Sequence, residues 1–446
     1  MDAAWLRFLP DFVASRLSGR GALQLALANS GWLSLDKVLR IGIGAVLTVW
    51  LARYLGPDRY GQLSYAIGFA VIFGAVASLG INNILVRDLV KHPEEKTQLL
   101  VGAFALKLCG GLAAFLMALS TVFLLRPTDA VSHWLVGIVS FSLVFQSAEV
   151  VELWFQSQVR SRHVVRWKIA VFAFISVLKV YLILTRSGVI AFAWLFMSEF
   201  ALTAAVLLWR YDLALFSGLL HNRWRFRIRL LLRESFPLMA SNTAALLYMR
   251  MDIIMLREMK GDAAAGLYAA ATVISEAGYF LPVVIVASAF PIILKYQRED
   301  KASYLFSIRK LYRTLILLAV AVALPLSLFS SPIIDLLYGH SYGGSKCVLL
   351  IHLWACLPMF LSLVSSHHLL AESMHRIILC RTSIGAALNL MLNLALIPGF
   401  GPPGAAAATV MTHLLILFSL GFFKETRAHF HLLATSLGIG AGSPIP

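Results

Sequence analysis

Charged side chains stand inside stretches that are otherwise apolar. Asp36, Lys37 and Arg40 fall within about one helical turn, with Lys37 and Arg40 three apart on one helical face. Lys107, Lys179 and Arg250 occupy three further apolar segments, with Asp252 just beyond Arg250. Acids recur in the same way: Glu149 and Glu152 three apart, then Glu199 and Glu276. Lys37, Arg40, Lys107, Lys179 and Arg250 suit the binding of an anion. Arginine holds a phosphate through two parallel hydrogen bonds, and lysine acts as a point charge. The acids suit either of two tasks. They neutralise the deep bases, or they carry a proton or, with other oxygen ligands, Na⁺. Bases and acids are near balance, which favours salt bridges that rearrange with substrate or proton.

The elements that must hold these groups are membrane spans. The chain has 446 residues, 59% of them hydrophobic and only 13% charged, where soluble domains carry about 25% charged residues. Mean hydropathy is +0.81. Apolar blocks of roughly 20 residues recur, the length that crosses a bilayer core. About twelve spans are expected, near 31–53, 60–84, 98–125, 132–156, 164–185, 187–210, 234–256, 264–293, 310–331, 346–370, 376–397 and 403–424. Each should be helical, because a lone segment in lipid must satisfy its own backbone. At such depth an ionisable group costs about 2.5–3.5 kcal/mol on insertion scales, so it should line a cavity or pair.

Lys and Arg alternate between the loops, about 26 on one side against 7 on the other, which predicts both termini in the cytoplasm. This accounts for most of the +16 formal charge without nucleic acid; the bases touch anionic lipid headgroups. Five segments are expected: an N-terminal cytoplasmic or interfacial stretch 1–30, a six-helix half 31–211, a basic linker 212–233, a second six-helix half 234–424 and a cytoplasmic tail 425–446. No signal peptide is visible in the first twenty residues, which carry Asp2 and Asp11.

The two halves share a corner. In 51-LARYLGPDRYGQLSYAIGF-69 and 256-LREMKGDAAAGLYAAATVI-274, Gly56 falls on Gly261 and Gly61 on Gly266, and each corner joins the first two spans of its half. An even number of spans per half makes the repeat parallel, and two parallel halves enclose a V-shaped cavity. Gly56-Pro57 is expected to end the first helix and Gly61 to let the second start close by. Gly42 and Gly44 suit either bending of the first span or close helix packing.

The phrase from Leu55 to Ala66, with Gly56, Pro57, Tyr60 and Gly61, resembles the hallmark of the Wzx-type polysaccharide biosynthesis proteins, in the superfamily of the multidrug and toxin extruders. The segments 79-LGINNILVRDL-89, with Arg87 as a candidate gate, and 333-IIDLLYGHSYGGSKCVLLIHLW-354 agree, and the resemblance covers roughly residues 28 to 425. It implies an all-α polytopic flippase of the bacterial inner membrane. That flippase would move an undecaprenyl-pyrophosphate-linked glycan, such as an O-antigen, capsule or exopolysaccharide unit, to the periplasmic leaflet. It would work beside glycosyltransferases and a polymerase, with no cofactor beyond H⁺ or Na⁺ coupling.

Competing features carry less. The stretch 339-GHSYGGSK-346 reverses the Ser and Lys of a phosphate loop and falls in a periplasmic loop. His368, Glu372 and His375 read as a solvated face rather than a metal site. A cation or drug exporter of the same superfamily would want an acidic lumen, and a polytopic glycan polymerase or ligase would want a large periplasmic loop.

Overall fold

The computed structural model describes residues 21–210, 224–372 and 374–437. The expected segments at 1–20, 211–223 and 438–446 lie outside the described residues. Among the described residues the chain is all helical. The N-terminal half contains α1 (Gly21–Ser78), α2 (Asn82–Lys91), α3 (Lys96–Leu125), α4 (Ala130–Phe145), α5 (Glu149–Ser157), α6 (Arg162–Leu184) and α7 (Val189–Arg210). The C-terminal half opens with α8 (Trp224–Lys260), α9 (Asp262–Ala277), α10 (Phe280–Glu299), α11 (Lys301–Leu328) and α12 (Ser330–Leu337). It closes with α13 (Ser345–His352), α14 (Cys356–Ala371), α15 (His375–Phe400), α16 (Pro402–Phe418) and α17 (Arg427–Ser436).

Ten helical stretches among the described residues are long and apolar enough to cross a bilayer. The first, Leu35–Lys91, holds both of the first two expected spans. The expected seventh span, 234–256, lies in α8, which is too polar along its length to be counted among the ten. Leu124 is 84% exposed and Leu317 71%. Leucines so exposed on apolar helices have lipid for solvent, since water would leave this apolar area uncompensated.

The corner at 51–69 breaks where Gly56-Pro57 is expected to end the first helix. Gly56 is non-helical, at φ 74° and ψ 169°, so α1 is two helices meeting at a kink, with Pro57 opening the second. Gly261 takes the same conformation, at φ 92° and ψ 178°, and so does Gly339, at φ 85° and ψ 178°. Only glycine adopts this backbone without strain. Gly61 has a different role from the one expected. A Cβ there would lie 1.9 Å from the Asp262 carbonyl oxygen, and a Cβ on Gly266 would lie 1.9 Å from that of Pro57. The two corners are packed on each other backbone to backbone.

Two of the expected spans are interrupted in each half at comparable points. Short 3₁₀ turns at Gln146–Ala148 and Leu353–Ala355 break the fourth and tenth, and turns near Leu79-Gly80 and Gly278-Tyr279 break the second and eighth. Residues 21–30 belong to α1, and 224–233, expected in the linker, begin α8. The tail carries helix α17, which buries Leu432 and Leu433. The corner 339–346 is structural. Tyr342 donates to the Ala52 carbonyl across the halves at 2.7 Å, and Lys346 pairs with Asp335 at 2.7 Å.

Candidate functional site

Most of the deep charges in the N-terminal half gather in one place. Asp36 and Arg40 are four apart on α1 and bond to each other at 2.9 Å, the helix i,i+4 geometry. Arg40 reaches α7 through Glu199 at 2.6 Å, donates to the Lys168 carbonyl at 3.1 Å, and stacks over Phe172. Lys168 on α6 bonds Glu152 at 2.9 Å and approaches Asp36 to 3.4 Å. The 3₁₀ break before α5 places Glu149 and Glu152 in that helix's first turn, where the helix dipole favours acids. Glu149 takes Lys107 of α3 at 2.5 Å and a bond from Asn82 of α2 at 3.3 Å. A cavity of about 290 Å³ opens among Arg40, Lys168, Glu149, Glu152 and Glu199, walled by Phe145, Phe200 and Leu207.

The C-terminal half holds two separate sites. Arg250 does not pair with its neighbour Asp252. It pairs with Glu276 of α9 at 2.9 Å, because Arg250 and Asp252 are two apart on a helix and so point to different faces. Asp252 is buried among neutral donors: Asn393 at 2.5 Å, Tyr268 at 2.7 Å and Thr409 at 2.5 Å. Asn393 in turn donates to Asn389 at 3.0 Å, while its own Oδ1 has no partner among the described residues. Of the six deep acids, Asp252 is the one with no base in ion-pair reach among the described residues. Asn389, Asn393 and Thr409 were missed from sequence. Asn389 and Asn393, four apart in an apolar span, were the available signal.

The five candidate bases therefore do not act as one free cationic cluster. Arg40, Lys107 and Arg250 are each held by an acid. Lys37 is exposed on α1 and Lys179 half-buried on α6, and neither has a carboxylate within 4 Å among the described residues. Arg87 bonds its neighbour Asp88 at 2.8 Å. A Cβ on Gly42 or Gly44 would meet nothing within 4 Å, so close packing does not explain them. Two of the metal-like trio are otherwise engaged. His368 bonds the Tyr304 hydroxyl at 2.5 Å and stacks on His429 at 4.0 Å, and Glu372 accepts from Gln297.

An all-helical membrane body encloses paired charges and a polar cavity, and solved membrane transporters share its fold. The chain spans 91% of its length and 99% of the other's on a multidrug resistance MATE family transporter of the MOP superfamily in an inward-facing conformation, at TM-score 0.73 and 13% identity. It matches lipid II flippase MurJ, in an inward closed conformation, at TM-score 0.68 and 16% identity over 91% of this chain and 90% of that one. An outward-facing MATE family transporter matches less well, at TM-score 0.60 and 13% identity over 92% and 96%. No curated protein matches the chain. The sequence profile described as Polysaccharide biosynthesis protein matches residues 26–297, and the chain belongs to that family.

Proposed function

We propose that this protein is a flippase that carries a diphosphate-linked oligosaccharide on a polyprenyl lipid from the cytoplasmic to the periplasmic leaflet. Its membership of the polysaccharide biosynthesis family over residues 26–297 carries this reading. Twelve spans in two parallel six-helix halves, 31–211 and 234–424, would flank a V-shaped cavity and rock about it, with both termini cytoplasmic. The matched conformations of Gly56 and Gly261, and the matched breaks in the fourth and tenth spans, support the duplication.

The diphosphate enters as a competitor for bases already paired. It displaces Glu199 from Arg40, so binding and the release of an acid are one event. Lys37 and Lys179 add charge without breaking any pair. Asp252 is the coupling acid. Its carboxylate, with the Asn389 and Thr409 oxygens beside it, is a hard-oxygen set suited to a proton or Na⁺.

A second reading has its own support. The cavity is lined by Glu149, Glu152 and Glu199 against Arg40 and Lys168, three acids to two bases, and an acid surplus favours a cationic substrate. One experiment separates the two. The chain is expressed in bacteria lacking their own polysaccharide flippase, and surface glycan and organic-cation efflux are both measured. The proposal expects glycan display to return and to fall at least about tenfold in a K37Q/K179Q double variant at equal protein level. Efflux without glycan display would transfer the assignment to the cation exporter.

A further inference from the structure

Polar contacts cross between the halves where the two corners meet, and they use residues outside the substrate and coupling sets. Arg257, near the end of α8, is 1% exposed. Its guanidinium is bonded by Asp262 of its own half and by Asp129, the N-cap of α4 in the other half, at 3.2 Å. It also lies over the Tyr65 ring of α1, 4.2 Å from the centroid. The N-terminal half returns the bond. Arg126 Nε meets the Glu258 carboxylate at 3.1 Å and 3.2 Å, and its Nη2 donates to the Arg257 carbonyl at 3.0 Å. Tyr65 donates to Glu258 at 2.6 Å and Gln62 to Asp262 at 2.8 Å. Each half thus gives a cation to an acid of the other, directly above the Gly61–Gly266 backbone contact.

We propose that Arg257–Asp129 and Arg126–Glu258 form a latch that holds this end of the two halves shut and releases once in each transport cycle. Arg257 is its gating residue and does not touch substrate. The inference rests on the proposed rocking of the halves. Several modest bonds suit a reversible closure better than an apolar seal does. Arg126 and Glu258 are only about three-quarters buried, 25% and 26% exposed. A pair at the water's edge contributes about 0–1 kcal/mol and is readily exchanged for hydration. Once parted, the charges are solvated, whereas apolar faces would be driven back together. Gly61 and Gly266 let the backbones meet, so the charges need only short reaches across the seam.

The test reports accessibility and is independent of any substrate. Cys109, Cys347, Cys356 and Cys380 are replaced by serine or alanine, and Gly68→Cys is introduced as the reporter. Gly68 is buried on the face of α1 towards α8, and a Cβ there lies an ordinary 3.8 Å from Ile254. A membrane-impermeant maleimide is applied to intact cells and to inside-out vesicles. Arg126→Gln and Glu258→Gln should each speed labelling from the latch side about twofold to fivefold. The double variant should label no faster than the faster single, because both changes remove one pair. Asp129→Asn, which opens the other pair, should also speed labelling. Unchanged labelling in all three singles, or a double equal to the product of the singles, overturns the latch. Glycan display is measured in parallel. A wild type that never displays glycan while labelling follows the expected pattern sinks the flippase reading and leaves the latch standing.

Discussion

Lys107 and Glu149 form one pair, yet they do not depend on it equally. Lys107 is 1% exposed and Glu149 37%. Glu149→Gln strands a buried ammonium and should cost about 3–5 kcal/mol, whereas Lys107→Met leaves a carboxylate that still reaches water and should cost about 1 kcal/mol. The K107M/E149Q double should recover most of the loss. Thermal melting in detergent checks the order; equal losses in the two singles would contradict the burial argument. Asp252 poses a different question, since its partners are neutral. Asp252→Asn keeps much of the hydrogen bonding and removes the charge, so it should leave folding near wild type. Any dependence of transport on Na⁺ or pH should disappear in it, read as glycan display at varied Na⁺ and pH. Transport that keeps its full ion dependence would move coupling elsewhere.

At the scale of elements, glycines separate by what surrounds them. Gly61→Ala places a methyl against the Asp262 carbonyl in the other half's corner, with no flexible side chain to yield. It should lower the melting temperature and speed Gly68→Cys labelling. Gly42→Ala meets open space and should be neutral or stabilising by up to about 1 kcal/mol. If helix bending at Gly42 serves transport, glycan display will fall in G42A while stability does not. The α4 N-cap gives a pH dependence. Burial pushes the Asp129 carboxyl up, but bonds from the Ser132 hydroxyl and backbone N–H, then Arg257 and Arg126, hold it below the usual carboxylate range. A depressed folded pKa contributes stability above the unfolded value of about 4, and that contribution is lost as pH falls through the folded value. The melting-temperature gap between wild type and D129N should therefore be flat from neutral pH to about 5 and close below it.

Over the whole molecule, residues close in sequence carried the legible part. Apolar block length marked the spans, and the matched glycines marked two corners that share one backbone conformation. The helix break at Gly56 was legible too, because glycine reaches this backbone freely and a following proline disfavours helix at the residue before it. The pairing of charges was not legible. Arg40 meets Glu199 across 159 positions and Arg257 meets Asp129 across 128, and no spacing rule covers such separations. Arg257 follows directly on the expected seventh span, 234–256, and lies buried between the halves. Composition and periodicity by themselves determined that the chain is an all-helical membrane protein, since lipid permits few other folds and helices are local. Which base faces which acid, and that the two corners close on each other, was decided by tertiary structure, because partners in an ion pair or a backbone seam are chosen by the packing of whole helices.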